Sequence, residues 1–421
     1  MTSSSSSGPS SSLSPGDEAS DQDKLSLSKL WVLMVTAFVD MIGFALIVPL
    51  LPFYATEFGA DAFTVGILMG IFAFGQMLTA PRWGRLSDRI GRKPVMIASQ
   101  VISTLAFLTF AFANSVWLLL LCRFLQGVGG GSLGAVSAYV SDAVGPEERA
   151  KALGWITACT SAGVMVGPAI GSLTVGYAKW APGVIAALFC VANIVFTAIW
   201  LTEAKARPKK DASQSKARPK ISGQVKNVLA NPGETVHGLI WIYTAGMMAF
   251  MSMTGIMALY LEDRFAVTAE QIGWFYVAVG AVSVVMRGLI LGKMVQRFGE
   301  VRTLRIGATA LGLGLASIPF AATPWAFAAV MLFVPTGTAL LFPCTTSLIT
   351  RYADPDEVGQ TVGVQQAFGG VSRLTAPIWA GAIYQVVGIR EPFWIGAALV
   401  LTTALLSLRL RPGEAPRRKT A

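Results

Sequence analysis

Apolar residues run along this chain in blocks of about twenty, separated by short stretches where glycine, proline and charge collect. A helix of that length crosses the roughly 30 Å hydrocarbon core of a bilayer. The blocks lie near 30–52, 63–83, 94–114, 116–140, 151–178 and 182–202, and then near 237–261, 270–292, 302–321, 325–350, 358–386 and 391–410. The pattern predicts an all-α membrane protein of twelve transmembrane helices in two six-helix halves. Residues 1–28, rich in Ser, Gly and Pro, are expected to form a disordered tail, and 29–203 the first bundle. Residues 204–235 form a basic linker, 236–410 the second bundle and 411–421 a basic tail.

The punctuation between blocks repeats. Gly84-Arg85-Leu86-Ser87-Asp88-Arg89-Ile90-Gly91-Arg92-Lys93-Pro94 packs an acid, several bases and two glycines between two apolar blocks, which places it at a membrane surface. A worn copy, Gly292 to Gly299, follows 208 residues later, with Gln296 where the first copy has Asp88. Gly145-Pro146-Glu147-Glu148 is matched by Asp354-Pro355-Asp356-Glu357 at nearly the same offset. Two parallel halves with inner pseudo-symmetry are a transporter architecture with its site between them. Lys and Arg gather in the loops at 85–93, 149–151, 205–226 and 293–305, whereas the loop holding Glu57 and Asp61 has no base. The positive-inside rule then places both termini in the cytoplasm, in a cell (inner) membrane.

Composition agrees with the pattern. The chain is 53% hydrophobic and 13% charged, about half the charge of a soluble domain. The net charge of +10 lies in loops beside apolar spans, which suits lipid headgroups and argues against nucleic acid as a partner. Cys122, Cys159, Cys190 and Cys344 fall inside apolar blocks without metal-ligand spacing. No phosphate loop, metal cluster or Ser/His/acid set suggests an enzyme, so no cofactor is expected beyond a proton gradient as the energy source.

A few polar residues sit at membrane depth. Asp40 lies about ten residues into span one, roughly 15 Å deep. An acid there is costly and commonly marks a proton or ion path. Arg123 enters span four from the other face and reaches a similar depth, so it is placed to pair with Asp40 directly or through water or Gln126. Such a carboxyl would be held protonated by burial and lose its proton when a cation approaches, which favours a cationic or zwitterionic cargo. Arg373 is near the midplane of span eleven, while Arg287 is expected to snorkel to headgroups. Gln76, Gln126, Gln365 and Arg373 are the candidate cavity residues. Gly163, Gly167 and Gly171 recur every four residues as a bare stripe for close helix packing, and Pro168 allows a bend.

These residues resemble the major facilitator superfamily. Gly84-x-Leu86-x-Asp88-Arg89-x-Gly91-Arg92-Lys93 matches its loop signature between spans two and three, and Arg123-x-x-Gln126-Gly127 resembles a second motif. Gly163-x-x-x-Gly167-Pro168-x-x-Gly171 resembles the antiporter motif, and Gly43, Pro49 and Pro52 the proline pattern of the twelve-span drug:proton antiporters. Asp40 is similar to the span-one acid of tetracycline-efflux proteins. The resemblance implies a proton-coupled antiporter exporting an amphipathic drug-like or metabolite compound by alternating access. It also implies a gate on the cytoplasmic side made by Gly84, Asp88, Arg89, Gly91 and Arg92 with Asp142 and Arg149. The expected partners are a small-molecule substrate, protons and membrane lipids, with the chain acting as a monomer. An uptake symporter or facilitator and a non-transporting membrane sensor remain the alternatives.

Overall fold

The structure is a computed structural model that describes residues 15–143, 146–203, 221–354 and 357–409. Helices dominate the described residues and no strand occurs among them. The first half comprises α1 (Pro15–Ile47), α2 (Leu51–Glu57), α3 (Ala62–Ile90), α4 (Arg92–Ala111), α5 (Val116–Val128), α6 (Ser132–Ala143), α7 (Pro146–Val175) and α8 (Ala181–Trp200). A linker helix α9 (Ile221–Ala230) precedes the second half. That half comprises α10 (Thr235–Phe265), α11 (Ala269–Val285), α12 (Leu291–Ser317), α13 (Pro324–Val330), α14 (Phe333–Tyr352), α15 (Val358–Val386) and α16 (Glu391–Leu406).

Eight runs among the described residues are long and apolar enough to cross a membrane. One of them, Ala269–Phe320, is 52 residues long, roughly twice a span, and leaves the helical conformation at Gly299. The expected twelve is reached only by splitting that run and adding three others: α5 with α6, α15 and α16. The run through α5 breaks where Gly129, Gly130 and Gly131 interrupt it. The 29-residue α15 is long enough but carries Gln365, Gln366, Ser372 and Arg373, which a helix shielded from lipid can hold.

Two boundaries depart from the sequence reading. Helix α1 begins at Pro15, inside the stretch expected to be a disordered tail. From Asp17 to Ile42 there is no further proline or glycine to stop it. Helix α3 continues through Gly84 to Ile90, so most of the expected loop is helical and the turn is Gly91 alone, at φ 104° and ψ 166°. Gly299, its counterpart 208 residues on, has φ 77° and ψ 164°. Both breaks use a backbone that a side chain disfavours, which is why glycine stands at each.

Large side chains left bare by the fold show where lipid meets water. Trp117, Tyr177 and Trp325 are 80–89% exposed at the end of the bundle that carries Glu57 and Asp61. Trp31 and Trp200 are exposed at the basic end. Aromatic belts at two levels are the mark of a bilayer-spanning bundle.

The halves meet at the acidic end. One buried cluster joins Leu46, Leu50 and Val65 of the first half to Ile256, Tyr260 and Ile272 of the second. A separate cluster around Leu33, Met96 and Tyr139 serves the first half alone, at its basic end. The approach is closest at glycines: a Cβ on Gly66 would lie 2.3 Å from Pro377 O, and one on Gly273 2.3 Å from Pro168 O. The Ser172 hydroxyl donates to Ala269 O at 2.8 Å and accepts from Gly273 N at 2.8 Å. Asp61 caps α3 by accepting from Thr64 N at 2.8 Å, and it takes a second bond from Gln385 Nε2 at 3.0 Å across the seam. The Thr64 bonds hold its carboxyl below the usual carboxylate range. That contribution is present above the unfolded pKa and is lost only as pH falls through the lowered one, so the seam survives mild acid.

Candidate functional site

Toward the basic end the halves part. The α3–α15 contact runs from Gly381 beside Ala62 to Gly370 beside Met77, and beyond it the helices diverge. Two spaces open there. A central cavity of about 460 Å³ is walled by Met41 and Phe44 of α1, Val164 of α7, Met247 and Met251 of α10, and Phe342 of α14. A second, of about 690 Å³, lies between α3, α6 and α15 and is lined by Gln76, Trp83, Arg92, Gln366 and Arg373.

The glycine stripe builds the wall. Cβ atoms on Gly163, Gly167 and Gly171 would stand 2.5, 2.7 and 2.3 Å from the carbonyl oxygens of Phe38, Ile42 and Leu46. The stripe thus lets α1 press against α7 and fixes which face of α1 turns inward. Pro168, at its centre, lines the cavity and meets α11 at Gly273.

Asp40 is on another face. Successive helix residues are separated by 100°, which puts Asp40 roughly a quarter turn from the centre of the Met41–Phe44–Ala45–Val48 face that lines the cavity. Its Oδ1 accepts from Asn193 Nδ2 of α8 at 2.8 Å, and the same amide donates to Thr36 O at 3.1 Å. One turn along α1, Gly43 faces Phe107 of α4. Asp40 therefore lies on the α8 flank of α1, outside the cavity lining.

Arg123 does not pair with it. The guanidinium is 3% exposed, donates through Nη1 to Gln126 Oε1 at 2.7 Å and through Nε to Leu68 O at 3.3 Å. Its planar face rests on Phe72 at 4.9 Å and Phe44 at 5.8 Å. A backbone carbonyl, an amide and two rings satisfy it in place of a carboxylate. Arg123→Lys keeps the charge but cannot bridge Leu68 and Gln126 while lying flat on both rings. It is expected to lower stability by about 1–3 kcal/mol, read as a fall in the thermal midpoint. Proton release tied to Asp40 should persist, which a direct Asp40–Arg123 pair would not allow.

The candidate cavity residues divide. Gln76 and Arg373 line the second space. Gln126 is occupied with Arg123 and is buried. Gln365 is fully buried and donates to Thr346 Oγ1 at 2.8 Å, tying α15 to α14. Its neighbour Gln366 faces the space instead, because one residue's rotation separates two faces of a helix. Arg287, expected to snorkel, lines the central cavity from a π-helical turn, Met286–Ile290, between α11 and α12. Such turns are rare and cluster at functional sites, and nothing in the apolar pattern of 270–292 foretells one.

At the gate motif Arg92 Nη1 bonds Asp88 Oδ1 and Ser87 Oγ, both at 2.8 Å. Asp88 is thus engaged within its own half, while Gly84 and Arg89 are exposed. The side chains of Asp142 and Arg149 lie outside the described residues. Glu203, which the sequence reading passed over, completes the motif. Its carboxylate, just past α8, accepts from Arg92 N at 2.6 Å and Lys93 N at 3.1 Å. It occupies the positive N-terminus of α4, where Gly91 has no side chain to offer. A Cβ on Gly91 would meet that carboxylate at 2.8 Å. Glu203→Ala should cost about 0.5–2 kcal/mol, the worth of an N-cap, with Glu203→Gln in between, by thermal melts of detergent-purified protein.

The geometry is that of two helical halves closed at one end around a cavity, with an acid on its flank. The profile of the Major Facilitator Superfamily matches residues 33–334 and 239–421. The class C tetracycline resistance protein of Escherichia coli is 26% identical over 379 residues, 89% of this chain and 94% of that one. Multidrug resistance protein 2 of Bacillus subtilis (strain 168) is 27% identical over 375 residues, 86% of this chain and 90% of that one. A crystal structure of the nucleoside transporter NupG superposes with a TM-score of 0.73 at 13% identity, covering 91% of this chain and all of that one, a likeness of fold. The chain belongs to the Major Facilitator Superfamily: it is an integral membrane transporter of small molecules and not an enzyme.

Proposed function

We propose that this transporter exports amphipathic compounds from the cell in exchange for protons. The observation that carries the reading is the pairing of a closed acidic end with an apolar cavity flanked by a membrane-buried carboxyl, Asp40. Efflux is supported by the relatives, whose names are those of tetracycline and multidrug resistance proteins. The distribution of Lys and Arg supports a cytoplasmic basic end, with both termini there and the acidic end outside. In that orientation the cavity is reached from the cytoplasm, as loading for export requires, and the proton gradient is the only energy source invoked. The Asp88–Arg92 cluster and Glu203 serve as the cytoplasmic gate, and Gly163, Gly167 and Gly171 hold α1 where Asp40 and the cavity share one helix.

The test is reconstitution into proteoliposomes with an imposed pH gradient, following tetracycline inside and internal pH by a trapped fluorophore. Accumulation matched by a proton countercurrent, and abolished by a protonophore, is the expected result. Flux indifferent to the gradient would make the chain a facilitator and end the antiport reading.

A further inference from the structure

The polarity of the cavity points to the charge of its cargo. Among the described residues lining the two spaces there are three arginines, Arg287, Arg92 and Arg373, and no carboxylate. Arg92 is neutralised by Asp88. Arg287 makes no hydrogen bond or ion pair with a described residue, although it faces a wall of methionine and aromatic side chains. Arg373 lies beside the hydroxyl of Tyr243, and its Nε is buried without a partner. Asp40, the residue that favoured a cationic cargo, points to Asn193 on the α8 flank of α1.

We propose that the two spaces select amphipathic anions, compounds with an apolar or aromatic body and a net negative charge. Arg287 in the central cavity and Arg373 in the second space, with no acid among the described residues lining either, make each space positive in surroundings of low dielectric, where charge interactions are stronger than in water. A guanidinium is weakly hydrated, permanently charged and shaped to hold an oxyanion through two parallel bonds. The thioethers and rings around it accept an apolar body of varied outline, because methionine is flexible and polarizable. A lipophilic cation would meet the same apolar wall but be repelled by the unopposed arginine of either space.

The proposal rests on the cavity being the substrate site, and its test needs neither transport nor protons. Tetraphenylborate and tetraphenylphosphonium have nearly the same size and shape and opposite charge. Their binding to the full chain in lipid nanodiscs is measured by equilibrium dialysis, with empty nanodiscs subtracted. The expected result is at least a tenfold preference for the borate. Arg287→Gln and Arg373→Gln should each weaken the borate about tenfold and leave the phosphonium unchanged or tighter, with Arg287→Lys recovering most of the loss. Equal or tighter phosphonium binding to the unaltered chain overturns the proposal, as does an equal loss for both ions in the variants. Absence of specific binding by either ion overturns both the proposal and the cavity as a binding site. Loss of proton coupling with the borate preference intact would sink only the antiport reading.

Discussion

Replacing Asp40 by asparagine is expected to abolish proton countertransport and uphill export together, while leaving the fold in place. Asparagine keeps the side-chain shape and the carbonyl oxygen that Asn193 Nδ2 reaches at 2.8 Å, and Asn193 keeps its second bond to Thr36 O. What is lost is the ability to hold and release a proton. An acid at this depth costs on the order of 2.5–3.5 kcal/mol by insertion scales. Arg123 does not offset that cost, since it is already satisfied by Gln126, Leu68, Phe44 and Phe72. A purely structural role is served as well by asparagine at less cost, so a carboxyl here is best understood as titrating during the cycle. One charge moving through 100 mV is worth about 2.3 kcal/mol, or roughly a fiftyfold concentration ratio. The Asp40→Asn transporter should lose that factor for each proton it no longer carries. Accumulation and internal pH in proteoliposomes, with a thermal melt beside them, read the three quantities separately. A variant that still releases protons from the vesicles as the compound accumulates would place the proton site elsewhere.

The parts of this fold that could be read in advance are those where a single residue type has one physical use. A block of apolar residues as long as a bilayer is thick has few other fates, and eight of the described runs satisfy it on length and composition. Gly91 and Gly299 stand at the same point of the repeat and adopt one backbone conformation, which a glycine at a charged break foretells. The stripe of Gly163, Gly167 and Gly171 touches a helix as its spacing implies. The site was less legible, because depth in a membrane can be counted along a sequence and rotation about a helix axis cannot. Asp40 and Arg123 were placed at similar depth but turn to different neighbours. Gln365 and Gln366 differ by one step, and only the second faces the space. Arg287 reaches the cavity through a π-helical turn that no periodicity announces. Glu203 belongs to a motif more than a hundred residues away, joined to it by bonds to the backbone of Arg92 and Lys93. Those backbone groups carry no sequence signature.

Alanine at Gly66 or at Gly273 is expected to drive the transporter away from the arrangement seen here and so to stop its cycle. The two positions are counterparts in the repeat, as are the residues they face. Gly66 of α3 meets Pro377 of α15, and Gly273 of α11 meets Pro168 of α7. In each pair the first atom that a Cβ would strike is a backbone carbonyl at 2.3 Å, which no rotamer change can move aside. Overpacking of this kind costs about 1–3 kcal/mol, and each 1.4 kcal/mol is tenfold in a population. Either substitution should therefore shift the balance roughly five- to a hundredfold against the closed acidic end, without altering Asp40, the gate motif or any side chain that lines the cavity. Gly363→Ala is the matched control, since no atom lies within 4 Å of its would-be Cβ. Alkylation of a cysteine introduced at Ser172, which is buried and bonds Ala269 O and Gly273 N across the seam, reports the closure. It should quicken in the Gly66→Ala and Gly273→Ala backgrounds and stay slow in the control. Unchanged rates would mean that the seam gives way without cost and that these glycines do not set the balance between the two ends. Quickened alkylation together with normal transport would show that closure at this end is not limiting. Only quickened alkylation with lost transport fits a cycle in which the same two helix crossings must close and open at every turnover.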